Sequence, residues 1–342
     1  MTPAPAGASS REALFSVLVL THRRPELLRS CLRSLQAADL RLVREIVVAV
    51  NGEDMEDVDM ARSFSALIPC LEIILLERQS RGAARNAALA RTRGEWIYFL
   101  DDDVEAPPGL FAEAASLIAK HGDAWVLGGP NLTPPGSGLF ERASGLVLES
   151  WIGAGPMRRR YAPGPRMLRA DEKSFALCNL CARAAAFREL GLRFDPHLAS
   201  AEENLFVLNL RALGRRALYA PVLAVYHRRR AELGKFLSQV YESGVGRRQI
   251  TRKLPRAAQA VFFFPAVLVL YAVFLAAARP AWPFWIAPAL YALAAAGAAA
   301  RGAWKSKNPA AGLLFFALVP LCHLAYGTGF LAGRPLPKSF IK

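Results

Sequence analysis

Acidic residues nearly vanish from the last third of this 342-residue chain: from Arg228 onward Glu232 and Glu242 stand against 16 lysines and arginines. The remainder, with 27 basic and 26 acidic residues, is close to neutral, so the net charge of +15 belongs to the C-terminal part. Such charge raises the question of nucleic acid, but no recognition-helix or RNA-binding motif accompanies it, and no nucleic-acid partner is expected. Cysteine is scarce as well. Cys31, Cys70, Cys178, Cys181 and Cys322 are odd in number and scattered, which argues against a disulfide framework and fits a reducing compartment. Cys178-Asn-Leu-Cys181 has zinc-knuckle spacing, yet no second pair follows, so the two read as small buried side chains. An apolar leader is missing too: Met1 to Arg11 are small, Pro-containing and polar, and the N-terminal part is expected to stay in the cytosol.

What is present is an alternation. Leu14 to Leu20 is a short apolar run of the kind that forms a strand buried on both faces. Thr21-His22-Arg23-Arg24-Pro25 breaks it, and Glu26 to Leu35 then places Leu27, Leu28, Cys31, Leu32 and Leu35 at helical spacing. Further strands are predicted at Glu45 to Val50, Leu71 to Leu76 and Trp96 to Leu100, with helices at Asp57 to Leu67 and Ala83 to Ala90. This pattern implies an α/β domain with a mostly parallel sheet, whose ligands bind at the carboxyl ends of the strands. Gly128 to Gly138 and Gly153 to Pro165 read as loops, the second carrying Arg158-Arg159-Arg160 and suited either to close over a substrate or to lie solvated at the surface.

Three apolar stretches follow, at about 258–278, 282–300 and 310–331, each near the roughly 20 residues that cross a bilayer as a helix. Trp282, Trp285 and Trp304 near their ends fit an interfacial aromatic belt, and the surrounding lysines and arginines fit a cytoplasmic flank. The chain therefore divides into a disordered N-terminus (1–13), a catalytic domain (14–230), a basic amphipathic interfacial segment (231–257), a membrane region of three helices (258–333) and a tail (334–342). A multi-pass protein of the inner, cytoplasmic membrane with its catalytic domain in the cytosol is the expected arrangement.

The chemistry concentrates at two places. Phe99-Leu100-Asp101-Asp102-Asp103 ends a buried strand with carboxylates at positions one and three. In an extended turn these can converge on one divalent ion that relieves charge on a departing diphosphate, unless the run is only a solvated acidic turn. About a hundred residues later, Phe194-Asp195-Pro196 and Ala201-Glu202-Glu203-Asn204 bring carboxylates to the start of a helix, where they serve either as a base or as partners of the helix dipole.

In order, these segments resemble the family 2 glycosyltransferases, whose catalytic domain is the nucleotide-binding A-type glycosyltransferase (GT-A) fold. Four blocks carry the resemblance: Val17 to Pro25, Arg81-Gly82-Ala-Ala-Arg85-Asn86, Phe99 to Asp103, and Glu202-Glu203. It covers roughly Ser16 to His227. By position it implies Thr21, Arg23, Asn51, Arg81, Gly82, Arg85, Asn86, Asp101 and Asp102 on the donor side, and Asp101 and Asp103 at a divalent metal, manganese or magnesium. Glu203 would be the base and Glu202 its assistant. His227, after Ala220 to Tyr226, is either a third metal ligand or the head of the basic cluster Arg228 to Arg230.

Two departures accompany the likeness. Val50 stands where the family commonly has an Asp that reads the nucleobase, and Glu203 is one methylene longer than the family's Asp. Tyr241-Glu-Ser-Gly244-Val-Gly246-Arg247-Arg248 resembles a glycine-arginine segment that precedes the membrane helices in some members, whereas the Gln-x-x-Arg-Trp motif of processive synthases is absent. The sequence thus implies an inverting, metal-dependent enzyme that moves one sugar from a nucleoside-diphosphate donor to a lipid-linked or glycan acceptor at the membrane. A catalytically inactive scaffold on the same fold is the alternative. A sugar-phosphate nucleotidyltransferase is disfavoured because the loop after the first strand has no glycine.

Overall fold

A computed structural model describes residues 13–164 and 166–335. The expectation of a disordered N-terminus falls outside these residues apart from Ala13, as does the tail beyond Pro335. Strand β1 (Phe15–Thr21) is buried along its whole length. Helix α1 (Pro25–Gln36) opens on a proline, whose fixed φ suits a first helical turn, and buries Leu28, Cys31, Leu32 and Leu35 on one stripe. The alternation continues through β2 (Val43–Asn51), α2 (Met55–Arg62), β3 (Leu71–Leu76), α3 (Arg81–Leu89) and β4 (Trp96–Asp101), close to the bounds expected from sequence.

After it come β5 (Val104–Glu105), α4 (Leu110–Lys120), β6 (Ala124–Gly128), β7 (Asn131–Leu132), α5 (Leu139–Glu149) and the single turn α6 (Trp151–Ala154). Then β8 (Leu168–Arg169), β9 (Asn179–Arg183), α7 (Ala185–Arg188), α8 (Glu202–Ala212), β10 (Arg216–Tyr219) and β11 (Val225–His227) close the domain.

The main sheet runs β3-β2-β1-β4-β9-β6-β10-β8. Strands β3, β2, β1 and β4 are parallel, as are β6 and β10, while β9 is antiparallel to both its neighbours. Pleating sends alternate side chains of β4 to opposite faces. Trp96, Tyr98 and Leu100 join a core shared with α1 and Phe111, and Ile97 and Phe99 join Phe187, Phe194 and Phe206 on the other face. A second, small sheet, β5-β11-β7, stands beyond the end of β4.

The segment expected to be a loop over Gly153 to Pro165 is more regular than its composition suggests: Gly155–Arg160 forms a 3-10 helix with Pro156 in its first turn, and Arg160 is buried. Gly and Pro disfavour α-helix but Pro at the first positions of a helical turn loses no hydrogen bond. Cys178 and Cys181 are buried and free, with Cys178 accepting a hydrogen bond from Asn131.

The basic segment forms one helix, α9 (Leu233–Lys253). Three apolar helices follow, α10 (Ala260–Ala278), α11 (Ile286–Ser306) and α12 (Pro309–Ala332), with mean hydropathies of 2.5, 1.4 and 1.8 over candidate spans that include Trp282 to Trp285 before α11. At 1.5 Å per residue, even the 19 residues of α10 reach about 28 Å, enough for the hydrocarbon core. α12 differs from the other two. It lies along α9, where a Cβ on Gly244 would fall onto the Tyr326 backbone and one on Gly329 onto that of Tyr241. Half of its apolar window, 50%, is buried inside the protein, against 22% for α10 and 11% for α11.

Candidate active site

The parallel strands β1 and β4 end side by side, with Leu20 opposite Asp101, so the acidic run begins where β4 leaves the sheet. The three carboxylates have three different fates. Asp101 Oδ1 accepts from Arg85 Nη2 at 2.7 Å. Asp102 is fully buried; Thr21 Oγ1 donates to its Oδ2 at 2.9 Å, and Arg24 Nη1 lies 3.2 Å from its Oδ1. Burial pushes Asp102 up to about 8 against the pull of Arg24. Asp103 takes Arg24 Nη1 at 2.9 Å and Arg230 Nη1 at 3.4 Å on Oδ2, and faces His227 Nε2 at 3.1 Å with Oδ1. Burial works to raise this carboxyl, but His227, Arg24 and Arg230 together hold it well below the usual range.

Strand pairing is what delivers His227. In the small sheet β11 runs antiparallel to β5, placing His227 opposite Val104, and Arg228 N donates to Asp103 O at 2.9 Å. Arg229 Nη1 then meets His227 Nδ1 at 3.0 Å, fixing the ring from behind. The basic cluster and the histidine therefore act in one place: Arg229 orients the ring while Arg230 pairs with Asp103.

Helix α3 links the acidic motif to the second carboxyl pair. Arg81 and Arg85, one turn apart on one face, both approach Glu202 Oε1, at 3.9 and 4.0 Å. Arg81 also pairs with Glu242 of α9 at 3.2 Å. Glu202 and Glu203 occupy the first turn of α8, which Ala201 enters with a left-handed φ of 66°. Both are buried. Glu203 Oε1 pairs with Arg160 Nη1 at 3.2 Å, and Arg160 is itself held by the carbonyls of Glu172 and Lys173 and by Asn204. Burial raises the Glu203 carboxyl above its ordinary value, with Arg160 opposing.

Several expected donor-side residues hold the framework with their side chains. Asn51 exchanges two hydrogen bonds with the backbone of Gln79, both 3.0 Å. Asn86 does the same with Phe194, at 2.7 and 3.0 Å. Gly82 packs against the next part of that loop, where a Cβ would come within 2.8 Å of Asp195 O. Thr21 spends its hydroxyl between Asp57 and Asp102, each at 2.9 Å. Arg23 takes a positive φ of 52°. Asp195 pairs with Lys253 rather than joining the glutamates. Arg24, Asp57, Arg160 and Arg230 were not singled out in the sequence; only the arginine runs at 158–160 and 228–230 hinted at two of them.

Asp101, Asp103 and His227 do not converge as three ligands: among the described residues no group of three or more His, Cys, Asp or Glu side chains is arranged to hold a metal. Two of the three expected ligands, Asp103 and His227, do meet. Asp103 Oδ1 and Asp102 Oδ1 accept no well-aligned hydrogen bond, although His227 Nε2 and Arg24 Nη1 lie 3.1 and 3.2 Å away, so both buried oxygens keep lone pairs that fit a hard divalent cation. Magnesium and manganese sites of this kind use one or two protein ligands and complete their shell with phosphate oxygens and water.

The sheet order, the acidic motif at the carboxyl end of β4 and the glutamates opposite it define a GT-A-like α/β domain, here followed by three helices long and apolar enough to span a membrane. Residues 16–190, just over half the chain, match the model of glycosyl transferase family 2, and the chain belongs to that family. An uncharacterized glycosyltransferase of Haemophilus influenzae is 28% identical over 118 residues, 34% of this chain and 44% of that protein. Glycosyltransferase AglE of Haloferax volcanii is 28% identical over 125 residues, 36% of this chain and 41% of its own. The matched stretches thus span less than half of these relatives. Among solved structures, the mannosyltransferase PcManGT from Pyrobaculum calidifontis, in complex with GDP-Man and Mn2+, superimposes with a TM-score of 0.56 at 18% identity, covering 96% of this chain and 85% of that one. S. aureus TarS gives 0.51 at 19% identity, over 76% of this chain and 43% of that one. At such identities the likeness establishes the fold.

Proposed function

We propose that the chain is an inverting glycosyltransferase that moves one sugar from a nucleoside-diphosphate donor to an acceptor hydroxyl presented at a membrane. One observation carries the reading: the acidic motif and the buried glutamate pair hold the two terminal nitrogens of a single guanidinium, Arg85, with Asp101 at 2.7 Å and Glu202 at 4.0 Å. This bridge supports reading the acidic motif as the metal-and-diphosphate side and the glutamate pair as the base side of one site.

Asp103 and His227 would hold a divalent ion, magnesium or manganese, which would supply charge relief to the donor's diphosphate. Arg24 and Arg230 keep Asp103 ionised for that task, Asp101 and Asp102 complete the acidic edge, and Arg23 and Arg81 are assigned to the donor side. Glu203 takes the proton of the acceptor hydroxyl as the oxygen bonds to the anomeric carbon. The bond from that carbon to the diphosphate breaks on the opposite face, so configuration inverts and the nucleoside diphosphate leaves with the electron pair. Burial, by raising Glu203, brings its affinity for a proton toward the neutral range in which a base works well. Absence of the Gln-x-x-Arg-Trp motif supports transfer of one sugar per acceptor.

The apolar helices support residence in the inner, cytoplasmic membrane with the catalytic domain on the cytosolic side. α10 and α11 suit lipid contact on most of their surface, whereas the charged α9 alongside α12 keeps that helix at the protein's side. The direct test is to assay the purified full chain with labelled nucleotide sugars, manganese and membrane extract as the acceptor source, beside Asp103→Ala and Glu203→Ala. Transfer in the wild type and its loss in both variants are expected; unchanged turnover in both removes the assignment.

A further inference from the structure

Where the catalytic domain meets the apolar helices there is a cavity of about 1310 Å3, above the roughly 300–1,000 Å3 of most small-molecule sites. Its walls are of two kinds. Leu148, Phe264, Ala294, Ala298 and Phe315, from α5, α10, α11 and α12, give it a long apolar side. Arg158, Arg301 and Lys305 give it a cationic side. Arg301 and Lys305 stand one turn apart near the end of α11, the position at which lipid head groups meet a membrane helix. Lys305 pairs with Glu149 at 2.5 Å, while Arg158 and Arg301 are exposed.

A further cation lies deeper in the same space. Arg247 lines the cavity, is 2% exposed, and its Nη1 has no hydrogen-bond partner among the described residues. Glu172 Oε1 stands 3.8 Å from that nitrogen, equally without a hydrogen bond. The guanidinium stacks on the Phe262 ring at 3.8 Å, and its unused donor leaves it able to take a further acceptor. Glu203 and Asn204 line the cavity too, whereas Asp101, Asp102, Asp103 and His227 do not. The space therefore approaches the base from the side away from the acidic motif. Tyr161, another part of the wall, stacks with Arg229 at 5.1 Å behind His227, which fixes that wall to the rest of the site.

We infer that this cavity holds the acceptor and that the acceptor is an anionic lipid carrying a sugar. Its hydrocarbon chain runs along α10 to α12, its phosphate or diphosphate meets Arg158, Arg301 and Lys305, and its sugar hydroxyl reaches Glu203 near Arg247. The sugar-bearing part rests on the transferase reading above. A bare lipid phosphate would attack with an oxygen already ionised and would need no base. A buried glutamate at the wall has work to do only if the attacking group is a hydroxyl.

The test uses the full chain in phosphatidylcholine nanodiscs and titrates farnesyl phosphate, farnesol and inorganic phosphate by calorimetry, with uridine, guanosine and thymidine diphosphates plus manganese as the donor-side control. Farnesyl phosphate is expected to bind at least about 10-fold tighter than either of its halves, and Arg158→Gln with Arg301→Gln to lose at least about 10-fold of that affinity, one decade per 1.4 kcal/mol. Ala298→Trp, which fills the apolar side, should lose it as well, with nucleotide binding unchanged in both variants. Farnesyl phosphate binding unaffected by either variant overturns the proposal, and so does equal competition by phosphatidylglycerol. Wild type that binds farnesyl phosphate but no nucleotide upholds the lipid site and sinks the transferase reading instead. In transfer assays with labelled nucleotide sugars, product formed on farnesyl-diphosphoryl glucose supports the sugar-bearing acceptor, and product formed on farnesyl phosphate itself overturns it.

Discussion

His227 Nε2 stands 3.1 Å from Asp103 Oδ1, a direct contact between two buried groups that would be near enough to share one divalent cation. Residues 124 positions apart in sequence reach that spacing because β5 and β11 pair immediately beside them.

With two protein ligands, the cation and the nucleotide should bind as a unit. Manganese alone is expected to raise the melting temperature little, whereas manganese with the correct nucleoside diphosphate should raise it measurably, the linkage stabilisation being about 2.7 kcal/mol at a hundredfold excess over Kd. Thermal shift in the presence and absence of EDTA checks this. Asp103→Asn should weaken metal-dependent nucleotide binding by more than the roughly 10- to 100-fold typical of an outer-shell change.

Glu203→Gln keeps the shape of the side chain and removes the base. Turnover should fall by about 100- to 10,000-fold, the range of general base catalysis, with donor Kd unchanged. A variant that retains near-native kcat would dismiss Glu203 as the base.

Because burial raises Glu203, the acid limb of the rate profile should lie above the ordinary glutamate value of 4.5, and rate should drop as pH falls through the raised value. Stability has the opposite sign: a carboxyl that is harder to ionise in the folded state loses stability as pH rises through that value. A pH series of kcat and of urea midpoints on one preparation reads both.

Arg160→Gln removes the partner that opposes this rise. The acid limb should shift to higher pH, and stability should fall by about 3–5 kcal/mol above it because a buried carboxylate is left unpaired. Lys at 160 keeps the charge but not the fork to Asn204 and the Glu172 and Lys173 carbonyls, so it should restore the pH profile more than the stability.

Gly244→Leu tests the contact of α9 with α12. Its side chain would meet the Tyr326 backbone, at an overpacking cost of about 1–3 kcal/mol or more. Limited proteolysis should cut near residues 253–260 more readily, while nucleotide binding with manganese remains.

The sequence alone determined the layer order and the sites of greatest charge. Buried parallel strands need apolar runs, and helices that cover them need an apolar stripe, so β1 to β4 and α1 to α3 announce themselves locally. Length and hydropathy likewise announce α10 to α12 as candidate spans. Asp101 to Asp103 and Glu202-Glu203 were visible because clustered acids at element ends are rare and locally readable.

Tertiary structure decided which of those groups meet. Three adjacent aspartates received three environments, set by Arg85, Thr21 with Arg24, and His227 with Arg230, none of which the run itself specifies. Arg160 read as part of a loop, yet it is buried against Glu203, because a 3-10 turn and the carbonyls of 172 and 173 fix it there. The side-by-side course of α9 and α12, and the cavity beside it, depend on glycines far apart in the chain. Local periodicity reports which face of an element is apolar; it carries no information about which other face will cover it, and that is settled only when the whole chain packs.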